Sequence, residues 1–283
     1  MKAALPHRAR KAAIFALCMG FPLLALPQTS QLTHPPALDA GFHSMYDVQF
    51  AEAHAVFAEY MRQHPQDPMG PVSDAAAYLF SEFHRTGVLD MDLFTSNSNY
   101  LHRRKNSPDP AVKSAFDAAL KKTNQLADSA LSKHPKDADA LLAKTLAYGL
   151  LADYTSLIGR RDIAGFEYTK SGSFYAHKLL EIDPKAYDAY LAVGMENYIL
   201  GLKPAPVRWL LQMAGGETDR ALGERELELT ASQGHYLAPL AKLLLAVAAI
   251  RDNDKLKARQ LLASLAQEFP NNPMYATQLA KIG

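Results

Sequence analysis

The stretch LEIDPKAYDAYLAVGMENYILG, Leu180 to Gly201, contains one helix ending and one helix beginning. Proline lacks an N–H and clashes with the preceding turn, so Pro184 closes the helix that runs through Leu180. Beyond it, Tyr190, Gly194 and Tyr198 recur at four-residue spacing and share one face of a second helix. An aromatic, a glycine and a second aromatic on one stripe read as a surface that holds a neighbour rather than as reacting groups.

The same pattern extends outward in both directions. QFAEAHAVFAEYMRQHP places Phe50, Ala53, Phe57 and Tyr60 on one stripe and stops at Pro65. AVKSAFDAALKKTNQLADSALSKHP repeats this through Phe116, Leu120, Leu126, Ala127 and Leu131 before Pro135. Alternating β-branched runs bounded by turn residues are absent, so the spacing predicts an all-α chain. A Pro-containing linker is expected near Thr33 to Ala37. The stops RQHPQDP, SKHPKDADA, EIDPKAYDA and QEFPNNPMYA resemble one another, which is the mark of a stacked helical repeat. The 283 residues, nearly half of them apolar, suffice for one extended core.

These stops and stripes resemble the tetratricopeptide repeat family, whose unit carries an early aromatic, then Gly or Ala, then Ala and a large apolar residue in a second helix, and a final Pro. Pro184 is followed by Tyr190 and Gly194 in that order. The fullest unit runs from about Pro239 to Asn272, with Ala246, Ala258, Leu262 and Pro270 at the marker positions. Counting back from Pro65 gives Gly41, Ala53 and Phe57. Pro65, Pro135, Pro184 and Pro270 lie 70, 49 and 86 residues apart, so only the first interval is close to two units and the others require insertions or degenerate copies. Tyr187 to Pro270 looks like the larger, irregular extracytoplasmic members, with PVRWLLQMAGG and GETDRALGERELELTASQG between recognisable units. Gly215 and Gly216 precede the latter helix, Thr218 or Asp219 caps it, and Gly234 ends it. The resemblance implies a right-handed solenoid of stacked antiparallel helix pairs with irregular insertions, spanning residues 28–283 as a single domain.

The first residues stand apart. Lys2, Arg8, Arg10 and Lys11 precede the apolar run Ala12 to Leu26, a secretory signal pattern ending between about residues 25 and 30. An uncleaved anchor would need about 20 apolar residues, and this run is shorter and holds Pro22. Cys18 is the sole cysteine and lies inside the run, so thiolate metal sites and cysteine nucleophiles are excluded for the exported chain. Removing the segment leaves 26 Lys and Arg against 29 Asp and Glu, a formal net charge of −3, which disfavours a basic nucleic-acid binder.

The groups with chemical potential all have plainer readings. His177 and Glu181 are four apart on a helix but lack HExxH and a third ligand, so they read as a surface pair. His64 and His134 precede helix-ending prolines and suit the negative end of the helix dipole. Glu52, His54 and Glu59 read as a solvated face. YTKSGSFYAHK, Tyr168 to Lys178, has serines, a lysine and a glycine but matches no phosphate loop or serine-nucleophile motif; it reads as a helix whose small residues allow close packing. Arg103, Arg104 and Lys105, with Arg160 and Arg161, sit at expected helix ends and would meet an acidic partner or lipid only as a lesser reading. Thr86 to Pro110 interrupts the repeat and is either a partner contact or an insertion with Leu89, Leu93 and Phe94 tucked onto the array.

In units of this family pattern the inward positions fall on Leu142, Leu146, Leu191, Met195, Tyr198, Leu240, Leu243, Val247 and Ile250. They are mostly apolar, and either a neighbouring helix of the same chain or an apolar ligand or partner helix covers them. The expectation is therefore a non-enzymatic scaffold for protein–protein interaction in the periplasm or cell envelope, with no cofactor, metal or nucleic acid and no membrane span once the signal is removed. The alternative is a carrier of an apolar small molecule, since some extracytoplasmic repeat proteins look like partners of solute transporters.

Overall fold

The computed structural model describes residues 30–89, 107–201 and 219–282. The expected signal segment, Arg103 to Lys105, Leu93, Phe94 and the PVRWLLQMAGG stretch lie outside them. The described residues contain eleven α-helices and no strand: α1 Pro36–Tyr46, α2 Phe50–Gln63, α3 Met69–Thr86, α4 Pro110–Lys133, α5 Ala138–Asp153, α6 Asp162–Ile182, α7 Ala189–Gly201, α8 Arg220–Gln233, α9 Ala238–Arg251, α10 Lys255–Glu268 and α11 Pro273–Ile282. A π-helical turn, Tyr154–Ile158, extends α5.

Four of the helix stops share one backbone conformation. His64, His134, Asp183 and Phe269 each stand just before a proline with φ between −125° and −139° and ψ between 63° and 87°. A following proline drives its predecessor out of the α region, and this local rule sets all four. Each still donates its N–H to the carbonyl four residues back, and three residues on, the chain turns through Asp67, Asp137, Ala186 and Asn272. Asp67, Asp137 and Asn272 then accept the N–H of Met69, Ala140 and Met274 to start the next helix. His64 and His134 thus occupy the helix C-cap positions.

These stops divide the array into consecutive helix pairs, α1/α2 to α9/α10, with α11 as a terminal helix. Each helix packs on the next, and α1, α3, α5 and α7 also pack directly on one another. Among the described residues the interval from Pro65 to Pro135 holds one pair, the long helices α3 and α4, with residues 90–106 between them. Among the described residues the interval from Pro184 to Pro270 holds two pairs, divided at Gly234, which supplies a helix end without a proline.

Small residues set how closely the pairs approach. Gly41 lies against the ring of fully buried Phe57, and Ala53 is also fully buried. Ala246, Ala258 and Leu262 reproduce that spacing and are likewise fully buried. Gly194 and Gly223 put α7 and α8 in backbone contact: a Cβ on Gly223 would sit 2.7 Å from both the Gly194 carbonyl oxygen and the Tyr198 nitrogen. In α6, Gly172 and the fully covered Ser173 and Ala176 lie against α5, so the YTKSGSFYAHK stretch is indeed a continuous helix.

The expected linker at Thr33 to Ala37 is not free. Pro36 opens α1 at the position where a missing N–H costs nothing, and Thr33 donates from N–H and hydroxyl to Asp139 on α5.

Replacing Gly223 by Ala forces two helix backbones apart and lowers unfolding free energy by about 1–3 kcal/mol, the usual cost of overpacking. Gly149 faces open space, and Gly149→Ala raises stability by about 0.5–1 kcal/mol through helix propensity. Denaturant unfolding of the two variants checks this, and equal stability would remove the close-approach argument.

Candidate functional site

Two features are built where the first and last units meet. The first is a latch. Asp47, almost fully buried at the C-cap of α1, accepts hydrogen bonds from the backbone N–H (2.8 Å) and side-chain amide (2.6 Å) of Asn271. Asn272 donates to the Tyr46 carbonyl oxygen at 2.9 Å. The Tyr46 hydroxyl donates to the Tyr236 carbonyl oxygen at 3.1 Å, beside the Leu240 amide at the start of α9. Burial raises the Tyr46 phenol far above its ordinary range, so the hydroxyl remains a donor. Rings reinforce the latch: Tyr46 and His43 face Phe269 at 5.7 and 5.1 Å, and Phe42 stacks on Tyr236 at 4.8 Å.

Beside the latch is a half-open cleft of about 270 Å³ whose walls come from the α1–α2 turn, the end of α3 and one face of α11. Tyr46, Phe50, Phe80, Phe83 and Tyr275 give it an aromatic interior, and His84, Thr277, Gln278 and Lys281 stand on its polar side. Val48 lies on its wall with φ of 56°, a left-handed conformation that a β-branched residue adopts only under strain.

The chain preceding α1 crosses the turns of the middle units. Ser30 Oγ and the Gln31 N–H donate to Asp183 at 2.6 Å, the Gln31 amide donates to the Ile182 carbonyl, and Leu32 is buried. Burial alone would raise the Asp183 carboxyl, but these hydrogen bonds and those from Leu32 and Lys185 outweigh it and hold it below its ordinary value. Asp188 is buried one turn on and accepts the N–H groups of His235, Tyr236 and Leu237, fixing the turn after Gly234. The His34 ring stacks on His235 with centroids 3.7 Å apart.

The nine inward positions are divided by depth. Leu142, Leu146, Tyr198 and Leu243 are buried. Leu191, Leu240, Val247 and Ile250 are half-buried against the core, and Met195 is half-buried on α7. The structure thus leaves partly open apolar side chains on both α7 and α9. Of the groups weighed for chemistry, His177 and Glu181 are exposed on α6, His54 pairs with Asp74 at 2.6 Å, and Glu59 pairs with Arg62. The insertion expected at Thr86 to Pro110 has both its ends stapled together: buried Glu82 accepts from Arg85 and from the Asp109 N–H, and Arg85 donates to the Ser107 carbonyl. Leu89 lines the cleft. No group of three His, Cys, Asp or Glu among the described residues is placed to hold a metal ion, and no described helix is long and apolar enough to cross a membrane.

Sequence reasoning missed Tyr46, Asp47, Asn271, Asn272, His34 and His235. One local signal was present, the polar pair after Pro270, but what it binds is more than 220 residues away. Comparison with protein-family models, with curated proteins and with solved structures finds no match to this chain.

Acid should loosen the N-terminal crossing. Burial and the adjacent His235 lower the His34 pKa from its ordinary 6.5, against the opposing pull of Asp39 and Asp183. A histidine with a depressed folded pKa stabilises the docked state above its ordinary value, and this contribution is lost as pH falls below it. Asp183, also depressed, keeps its contribution until well below that range. Amide exchange of Gln31 to His34, corrected for intrinsic rates, is therefore faster at pH 5 than at pH 7.5. In His34→Phe, which keeps a ring but no proton site, the difference disappears. Identical protection at both pH values in the unmodified protein would refute the histidine argument.

Proposed function

We propose that the chain is an irregular, exported member of the tetratricopeptide repeat superfamily, a right-handed solenoid that acts in the periplasm or cell envelope as a non-enzymatic scaffold for a protein partner. The family reading draws support from the four proline turns with one backbone conformation and from the spacing shared by Gly41, Ala53, Phe57, Pro65 and Ala246, Ala258, Leu262, Pro270. The export reading rests on the basic and apolar pattern of the first 26 residues.

One observation carries the binding reading: Leu191, Met195, Leu240, Val247 and Ile250 remain half-exposed on α7 and α9. Half-exposed apolar side chains of this kind suit an amphipathic helix or extended apolar segment of a partner. A second reading, carriage of a small apolar molecule, is favoured by the aromatic cleft at the seam between the array's ends.

A photo-crosslinking residue placed at Val247 or Met195, in the cells that make the protein, should give one discrete adduct with another protein. The same residue at Leu256, exposed on α10, should give none. Equal adducts from both positions, or none from either, would count against an inner-face partner.

A further inference from the structure

We infer that the seam cleft is a binding site for a neutral, ring-sized apolar molecule, and that the latch beside it controls occupancy. The inference rests on the small-molecule reading and specifies its site and the ligand's charge and size. Size comes first. At about 270 Å³ the cleft lies at the lower edge of ligand pockets, which run from roughly 300 to 1,000 Å³. It admits a ring with a short chain and is too small for a helix or a long acyl chain.

Charge is decided by what surrounds the space. A cation would find aromatic faces in Tyr46, Phe80 and Tyr275. Among the described lining residues, however, there is no Asp or Glu to neutralise it, and His84 and Lys281 stand on the wall. An anion would meet those basic side chains, but α1 and α3 both end at the cleft. Helix C-termini carry about half a negative charge each. Either charge sign is opposed, whereas an uncharged ring loses only water and gains aromatic contact on three sides.

Occupancy is tied to the fold because the three walls belong to opposite ends of the array. Tyr46 and Val48 come from the first unit, Met274 and Gln278 from the terminal helix, and Asp47 with Asn271 joins the two a few residues away. Opening the latch would separate the walls.

The test is titration of the full-length mature protein with 4-phenylbutanol, 4-phenylbutyrate and 4-phenylbutylamine, followed by ligand-observed NMR and calorimetry. The expected result is saturable one-to-one binding of the alcohol, at least tenfold tighter than either charged analogue. Met274→Trp, which fills the cleft, abolishes it, and Asn271→Ala, which loosens the latch without touching the ligand, weakens it at least fivefold; circular dichroism confirms that both variants are folded. If none of the three compounds binds, both the site and the small-molecule reading fall. Equal binding of the three would overturn the neutral class alone. Alcohol binding that survives Met274→Trp would place the ligand elsewhere and overturn the site, and binding indifferent to Asn271→Ala would overturn the role of the latch.

Discussion

The carboxylate of Asp47, held by the backbone and side-chain N–H groups of Asn271, is the constraint on which the rest of the molecule depends. In an array of helix pairs each unit normally contacts only its neighbours, and stability is a sum of local terms. Here the first unit also touches the last. Tyr46 reaches the start of α9, Asn272 reaches back to α1, and three ring contacts fill the space between. An open chain of pairs thereby becomes a closed one. The cleft exists only because those ends meet, and the strained Val48 persists only because the α1–α2 turn is fixed on both sides.

The N-terminal crossing serves the same closure. Ser30, Gln31, Thr33 and His34 engage Asp139, Asp183 and His235, which stand at three successive turns between helix pairs. The turns at Pro135 and Pro184 are alike because a proline dictates the residue before it, whereas the turn after Gly234 is held by Asp188. Local backbone rules made the two proline turns regular, and the segment docks on them and on the turn that Asp188 holds.

How much of this the sequence revealed follows the range of each interaction. The helix stops were legible because pre-proline geometry acts between adjacent residues, and the capping role of Asp219 and the end at Gly234 were legible for the same reason. Counting the pairs was harder: α3 and α4 are long and residues 90–106 lie between them, and the boundary at Gly234 lacks the proline that marks the others. The inward residues were legible as apolar but not by depth, because whether Leu142 or Val247 is covered depends on neighbours distant in sequence. Asp47 and Asn271 look like ordinary turn residues, and only the closed array gives them a common role.

The most direct test of closure is a double-mutant cycle on Asp47→Ala and Asn271→Ala, read by denaturant unfolding. A hydrogen bond to a charged group contributes about 1.5–3 kcal/mol, and the Asn271 backbone N–H remains in both variants, so the account predicts a coupling of about 1 kcal/mol or more between the two sites. Additivity within about 0.5 kcal/mol, the behaviour of independent sites, would mean that the first and last units do not hold each other and that the array is open.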